Sequence, residues 1–222
     1  MAAIAPVIVL SVATRVQARR VELGTQAART YIDGVRAGAI TTPNSVIVPV
    51  PTGTDPAPKF LDTMAAPSSN PPTCTPPTPT STNFYCETIP TKFPNRNLDG
   101  NLYCMNLDGK PDGCGTQSSK SLIIQAFRTA IPRTPGAVVP DPTDDGSRGY
   151  ILGIRVYRAD AFDGAIPLNT SQQTGGKKVA TYTGGTGAKK SPLVEVITEV
   201  RGSNTSDETN YGNLCTRLGG CQ

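Results

Sequence analysis

The segment NRNLDGNLYCMNLDGKPDGC, residues 95–114, holds the densest run of oxygen ligands in this 222-residue chain. Asn95, Asn97, Asp99 and Gly100 follow the first half of a calcium loop of the D-x-[DN]-x-[DN]-G type. In such a loop alternate residues offer oxygen ligands and the glycine permits the turn. The closing glutamate is absent, because the twelfth position is Asn106, and Asp108 and Asp112 stand as its substitutes. The preferred interpretation is plainer: two Asp-Gly turns, one in each NLDG tetrad at 97–100 and 106–109, held by a disulfide between Cys104 and Cys114.

Other reactive constellations are sparse. The chain has no histidine, which excludes Ser-His-Asp and Cys-His nucleophile systems and any His-ligated metal. Asp141, Asp144 and Asp145 in PDPTDDG are the one cluster resembling paired carboxylates for glycoside chemistry, and a solvated turn explains them better. GGTGAKKS, residues 184–191, misses the register of a phosphate-binding loop because Lys189 intervenes, so it reads as a flexible turn. Asn169-Thr170-Ser171 and Asn204-Thr205-Ser206 match the glycosylation sequon, a pattern that arises easily by chance. The composition points away from an enzyme. A net charge of +4 with scattered basic residues gives no nucleic-acid footprint either.

Six cysteines stand at 74, 86, 104, 114, 215 and 221, none of them in a CxxC pair. An even count in a loop-rich chain fits disulfides and an oxidising compartment. Of the fifteen possible pairings, the preferred set is sequence-local: Cys74–Cys86, Cys104–Cys114 and Cys215–Cys221. Six reduced thiols are the alternative.

The elements that would carry these groups fall into three regions: a helix over 1–38, a Pro/Thr-rich connector over 39–94, and a β-sheet head over 95–222 closed by a C-terminal disulfide loop. The helical spacing of Val21, Ala28, Ile32 and Val35 gives the helix an apolar stripe, and Gly34 and Gly38 mark its end. A helix of that length spans about 55 Å, more than a single compact domain can cover. The connector includes PSSNPPTCTPPTPTST at 67–82, where proline excludes helix and interior strands. It reads as an extended, loop-like segment, with O-glycosylation of its Thr and Ser residues as an alternative role.

Three segments alternate with strand period. In SLIIQAFRT (121–129), Leu122, Ile124 and Ala126 oppose Ile123, Gln125 and Phe127. In GYILGIRVYRAD (149–160), Leu152, Ile154 and Val156 oppose Gly153, Arg155 and Tyr157. In PLVEVITEVR (192–201), Val194, Val196 and Val200 oppose Glu195 and Glu199. A weaker strand is expected at KKVATYT (177–183). This pattern predicts an α+β fold: an antiparallel sheet with one covered face, the long helix laid across it by its second half and projecting by its first.

MAAIAPVIVLSVATRVQARRVELGTQAARTYIDGVR, residues 1–36, resembles the latter part of a type IV pilin or pseudopilin helix, with MAAIAP supplying the apolar segment and its proline. The likeness is greatest to cyanobacterial pseudopilins of the hormogonium polysaccharide secretion type. Those combine an APVIVLSVATRVQ start, a proline-rich loop, a Cys-containing Asp/Asn/Gly-rich loop and a QAFR strand, as at 125–128 here. The family's prepilin peptidase site, a glycine followed by Phe or Met with glutamate at the fifth mature position, has no counterpart, since residue 5 is Ala. The alignment therefore implies about fifteen apolar residues upstream of the position of Met1, and the fourteen uncharged residues that open the chain fall short of the ~20 that span a bilayer.

The resemblance implies a structural subunit, not an enzyme, that polymerises through its apolar helix. Ile4, Pro6, Val7, Ile8, Leu10 and Val12 would pack against neighbouring copies or co-assembling subunits in a helical filament. It would reside in the inner membrane before assembly, then in an extracellular filament or periplasmic pseudopilus serving motility or secretion. No cofactor is implied beyond the calcium seen in β-loops of some pseudopilins. Arg15, Arg19 and Arg20 by themselves suggest a cytoplasmic flank, in tension with this topology unless acidic groups on neighbouring subunits take them up. The alternative function is a tethered, disulfide-stapled carbohydrate-binding or adhesive β-domain, and a periplasmic hydrolase using the 141–145 carboxylates is a third.

Overall fold

A computed structural model describes residues 4–47, 61, 64–72, 74, 83–86, 101–110, 113–129, 149–171 and 189–202; at 4–10, 13 and 101 only the backbone is described. The helix α1 runs from Ile4 to Arg36. The strands are β1 (Val46–Ile47), β2 (Asn83–Tyr85), β3 (Asn101–Met105), β4 (Leu122–Thr129), β5 (Tyr150–Arg158) and β6 (Val194–Val200). They form one sheet in the order β2-β3-β4-β5-β6, antiparallel throughout, with β1 paired parallel to the end of β4 through Val46↔Arg128. The α+β expectation of one N-terminal helix and an antiparallel sheet is met.

Alternation along the strands dictates which side chains meet the helix. Leu122, Ile124 and Ala126 of β4, Leu152, Ile154 and Val156 of β5, and Val200 of β6 face α1 in one apolar cluster. The helix answers with Ala27, Ala28, Tyr31, Ile32 and Val35 at spacings of three and four. Val21, expected on this stripe, is 38% exposed. It lies a turn before Gly24, where contact with the sheet begins among the described residues. Gly24 permits that first contact: a Cβ there would lie 3.1 Å from Leu193 Cβ and 3.3 Å from Val194 Cγ2. At the other end of the helix the Arg36 guanidinium donates to Thr198 Oγ1 (2.7 Å) and to the Glu199 carbonyl (3.1 Å). β6 therefore runs alongside α1 in the same direction, from Gly24 to Arg36. The chain then leaves the helix through Gly38, whose φ of 71° suits the left-handed cap, with Gly38 N–H donating to Val35 O and Ala39 N–H to Gly34 O.

The expectation of a single covered face is corrected. Every residue of β4 is buried, and so is most of β5. The outer face is covered by a second apolar cluster of Phe84, Leu102, Ile123, Tyr157, Phe162 and Leu168 around four cysteines, and a third of Phe127 and Met64. Part of the proline-rich connector is therefore a lid on the sheet, and it also supplies β1 and the edge strand β2. Of the three long strands, β6 keeps the half-buried pattern, with Ile197 48% exposed.

Tyrosines fasten the helix to the sheet. Tyr31 of α1 meets Tyr103 of β3 edge to face at 5.1 Å, and Tyr103 meets Tyr85 of β2 at 5.0 Å. The Tyr85 hydroxyl donates to Thr41 O (2.7 Å), so the Tyr31 hydroxyl is the donor in their 2.7 Å contact. Desolvation, reinforced by Tyr85, raises the Tyr31 pKa far above its ordinary value. Desolvation raises that of Tyr85 as well, against the opposing hydrogen bond from Tyr31. Both groups are raised on folding, so their contribution is complete below pH ~10, the ordinary tyrosine pKa, and declines as pH rises above it. Urea unfolding between pH 8 and 12 should show stability falling steeply above pH ~10, together with tyrosine ionisation in the ultraviolet. Tyr31→Phe should flatten that slope while costing about 1 kcal/mol at neutral pH.

Candidate functional site: the projecting helix and the outer face of the sheet

Among the described side chains, α1 contacts the sheet from Leu23 and Gly24 onward, apart from Arg20, which lies within electrostatic reach of Arg158 and Asp160. Residues 4–21 rise about 27 Å before that point. Pro6 falls in the first turn of α1, with Ile4 before it and Val7, Ile8 and Leu10 after it on the same segment. The side chains of these five residues lie outside what is described. Val12 is 57% exposed and Val16 45%. Val12 and Val16, four apart, share a face, while Val21 lies on the opposite side of the helix. The segment thus carries exposed valines on more than one side. Among the described residues, no helix is long and apolar enough to cross a membrane.

The outer face of the sheet carries a row of polar side chains that the sequence presents as ordinary outward positions. Gln125, Arg155 and Glu195 are paired across β4, β5 and β6. Arg155 is fully buried and forms an ion pair with Glu195 at 2.9 Å. Its Nη1 donates to Met64 O (2.8 Å), Ala65 O (3.2 Å) and Gln125 Oε1 (3.1 Å), and its Nη2 to Leu61 O. The guanidinium lies 5.5 Å over the Phe127 ring. Gln125 adds a bond from Nε2 to Ala65 O (2.8 Å), and Glu195 accepts from Ser171 N–H (3.2 Å). One guanidinium thereby ties the covering residues Leu61, Met64 and Ala65 to three strands, and Glu195 adds a second segment through Ser171. This is a fastening device: Nε, Nη1 and Nη2 each donate to protein acceptors.

Of the candidate metal ligands, Asp108 alone falls among the described residues. Asn95, Asn97, Asp99 and Asp112 lie outside the described residues. Asp108 accepts from Ser121 Oγ (3.2 Å) and Lys110 N–H (3.4 Å) in a turn that Asn106 braces through Gly109 N–H and Lys110 O. Desolvation pushes its carboxyl up, but hydrogen bonds from Ser118, Lys110 and Ser121 outweigh this and hold it below the usual range. Among the described residues, no group of three potential ligands could hold a metal ion. Of the cysteines, Cys74–Cys86 and Cys104–Cys114 are bonded as expected, whereas Cys215 and Cys221 lie outside the described residues, as do Asp141, Asp144, Asp145, Asn204 and the 177–183 segment.

Lys189 and Lys190, read from sequence as part of a flexible turn, converge on one carboxylate. Lys190 is buried and donates to Ala161 O (2.6 Å) and to Asp163 Oδ1, while Lys189 donates to Asp163 Oδ2 at 3.1 Å. The hydrogen bond from Lys190, with those from Ala165 N–H and Lys189, holds the Asp163 carboxyl well below the usual carboxylate range. No family model matches this chain, and neither the curated proteins nor the solved structures include a significant match.

Proposed function

We propose that the chain is a structural subunit of a type IV pilus-like filament or secretion pseudopilus, with a pilin-like fold. The observation that carries this reading is the division of α1. Its second half is packed on the sheet, while its first half extends some 27 Å with exposed valines and no covering element among the described residues. A soluble domain gains nothing from such a helix on its own, since apolar surface left in water costs about 25 cal/mol per Å². A polymer buries it, with Ile4, Pro6, Val7, Ile8, Leu10 and Val12 against neighbouring copies or co-assembling subunits. The sheet and its disulfide-held loops then form the outer wall. The subunit waits in the inner membrane and is delivered to an extracellular filament or periplasmic pseudopilus, compartments in which its two disulfides persist. Its role is mechanical, in motility or secretion, and it needs no catalytic group.

The test is Val7→Asp with Ile8→Asp in the full chain. A charge at each buried subunit contact should abolish polymerisation, while the circular dichroism and melting of the head stay unchanged, because the described side chains of α1 meet the sheet from Leu23 onward. Unimpaired assembly would refute the reading. A chain that never polymerises would favour the tethered adhesive β-domain, which needs no helix contact between copies.

A further inference from the structure

We propose that the end of the head from which α1 emerges is an electrostatic seat for an anionic lipid surface. The inference deepens the filament reading and rests on its membrane-resident subunit. Strand directions place the relevant groups. β5 runs opposite to β6 and ends at Arg158, next to Arg20 of the helix, and β4 begins at Leu122 paired with Arg158. Residues 189–193 enter β6 beside Gly24. Lys120 ahead of β4, Lys189 ahead of β6, and Arg20 therefore gather at the same end of the head. Arg15 and Arg19 follow on the emerging helix, both exposed, with no ion pair among the described residues.

Apart from exposed Glu22, the acidic groups described at this end are already engaged. Asp160 pairs with Arg158, Asp163 is shared by Lys189 and Lys190, and Asp108 is held by Ser121 and Lys110 N–H. Two ammonium groups on one carboxylate leave that cluster positive. Glu22 is the lone acid in the first 32 residues. A positive excess therefore surrounds the point where the helix leaves the head.

The spacing along the helix matches one bilayer leaflet. Residues 4–13 carry no charge and rise about 15 Å, half of a ~30 Å hydrocarbon core. Arg15, Arg19 and Arg20 occupy the next ~8 Å, the depth of a headgroup layer, where long basic side chains extend toward phosphates. Lys120 and Lys189 lie beyond them on the head. Basic groups gathered between an apolar tip and a folded head suit a plane of negative charge better than a single acidic patch on another subunit. The seat also resolves the tension raised by these arginines: lipid phosphates neutralise them before assembly.

The experiment uses the full chain with vesicles of phosphatidylcholine alone, or containing about a third phosphatidylglycerol, read by flotation. At low salt the anionic vesicles should bind on the order of 10- to 100-fold tighter, given the usual gain per basic residue at such a surface. That preference should collapse near 1 M salt, where the screening length is ~3 Å. Arg15→Gln, Arg19→Gln and Arg20→Gln together should remove most of it and leave neutral-vesicle binding unchanged. Equal binding to both vesicles, or a triple variant that keeps the preference, overturns the proposal. So does a triple variant whose only defect is loss of self-association, which would assign the arginines to a second copy. Weak binding to neutral vesicles with the anionic preference intact supports the seat. Filament formation, scored separately with the Val7 and Ile8 variants, judges the underlying reading.

Discussion

Replacing Arg155 with methionine is expected to destabilise the folded head by about 3–5 kcal/mol, the usual cost of removing one member of a buried ion pair. The size follows from what is stranded. Glu195 is left without its cation, and the carbonyls of Leu61, Met64 and Ala65 lose donors. Gln125 recovers only part of this through its own bond to Ala65 O. Methionine fills much of the volume and keeps contact with Phe127, so the loss reports the polar network and not a cavity. Arg155→Lys should recover little, because one ammonium cannot reproduce a planar fork aimed at the Leu61, Met64 and Ala65 carbonyls, Gln125 and a carboxylate. Arg155→Met combined with Glu195→Gln should be less damaging than the sum of the single changes, since no uncompensated charge then stays buried. Urea denaturation of the four proteins measures this. A loss below 1 kcal/mol for Arg155→Met would show that water or the loops themselves satisfy the stranded groups.

The second large effect is expected at the disulfide between Cys104 and Cys114. Both residues are buried in the outer cluster with Phe84, Leu102, Ile123 and Tyr157, and the bridge spans a sequence separation of 10. A loop of that size predicts about 3 kcal/mol from the restricted unfolded chain alone. Replacing both cysteines by alanine adds the loss of buried sulfur contacts, so a total of about 3–5 kcal/mol is expected, measured as the shift in urea midpoint at unchanged slope. Cys74→Ala with Cys86→Ala should cost somewhat less, because those residues sit nearer the surface, at 8% and 7% exposure. If both double variants unfold like the parent, the bridges do not hold the covering loops in place.

What the sequence made legible follows from local repeats. β4, β5 and β6 declare themselves by period-2 alternation, which separates their two faces; the structure places the Leu122, Leu152 and Val200 side on the helix. The helix, its end at Gly38 and the two described disulfides are equally local features. β3 was hidden because Asn101–Met105 sits between Asp-Gly turns, and its alternation of Leu102 and Cys104 with Tyr103 and Met105 spans just five residues. β1 and β2 were hidden in a connector whose prolines mask short strands, and strands of two and three residues carry no period at all.

The polar row on the outer face was illegible for a different reason. An arginine alternating with apolar residues reads as a solvent-facing position. Only the register that places Arg155 between Gln125 and Glu195, and the loop laid over them, turns it into a buried tie. Lys190 misled in the same way: nothing nearby in sequence announces that Asp163 and Ala161 lie against it. Among the candidate metal ligands only Asp108 is described, and its oxygen is already taken by hydroxyl and amide donors.

The filament reading depends on the fate of the projecting half of α1, and electron microscopy of the full chain purified from membranes addresses that directly. Helical filaments are expected, with α1 bundled at the centre and the sheet on the outside, and they should vanish in the Val7→Asp, Ile8→Asp variant. Monodisperse particles that stay monomeric under assembly conditions would contradict the account, as would filaments joined through the sheet with α1 left exposed.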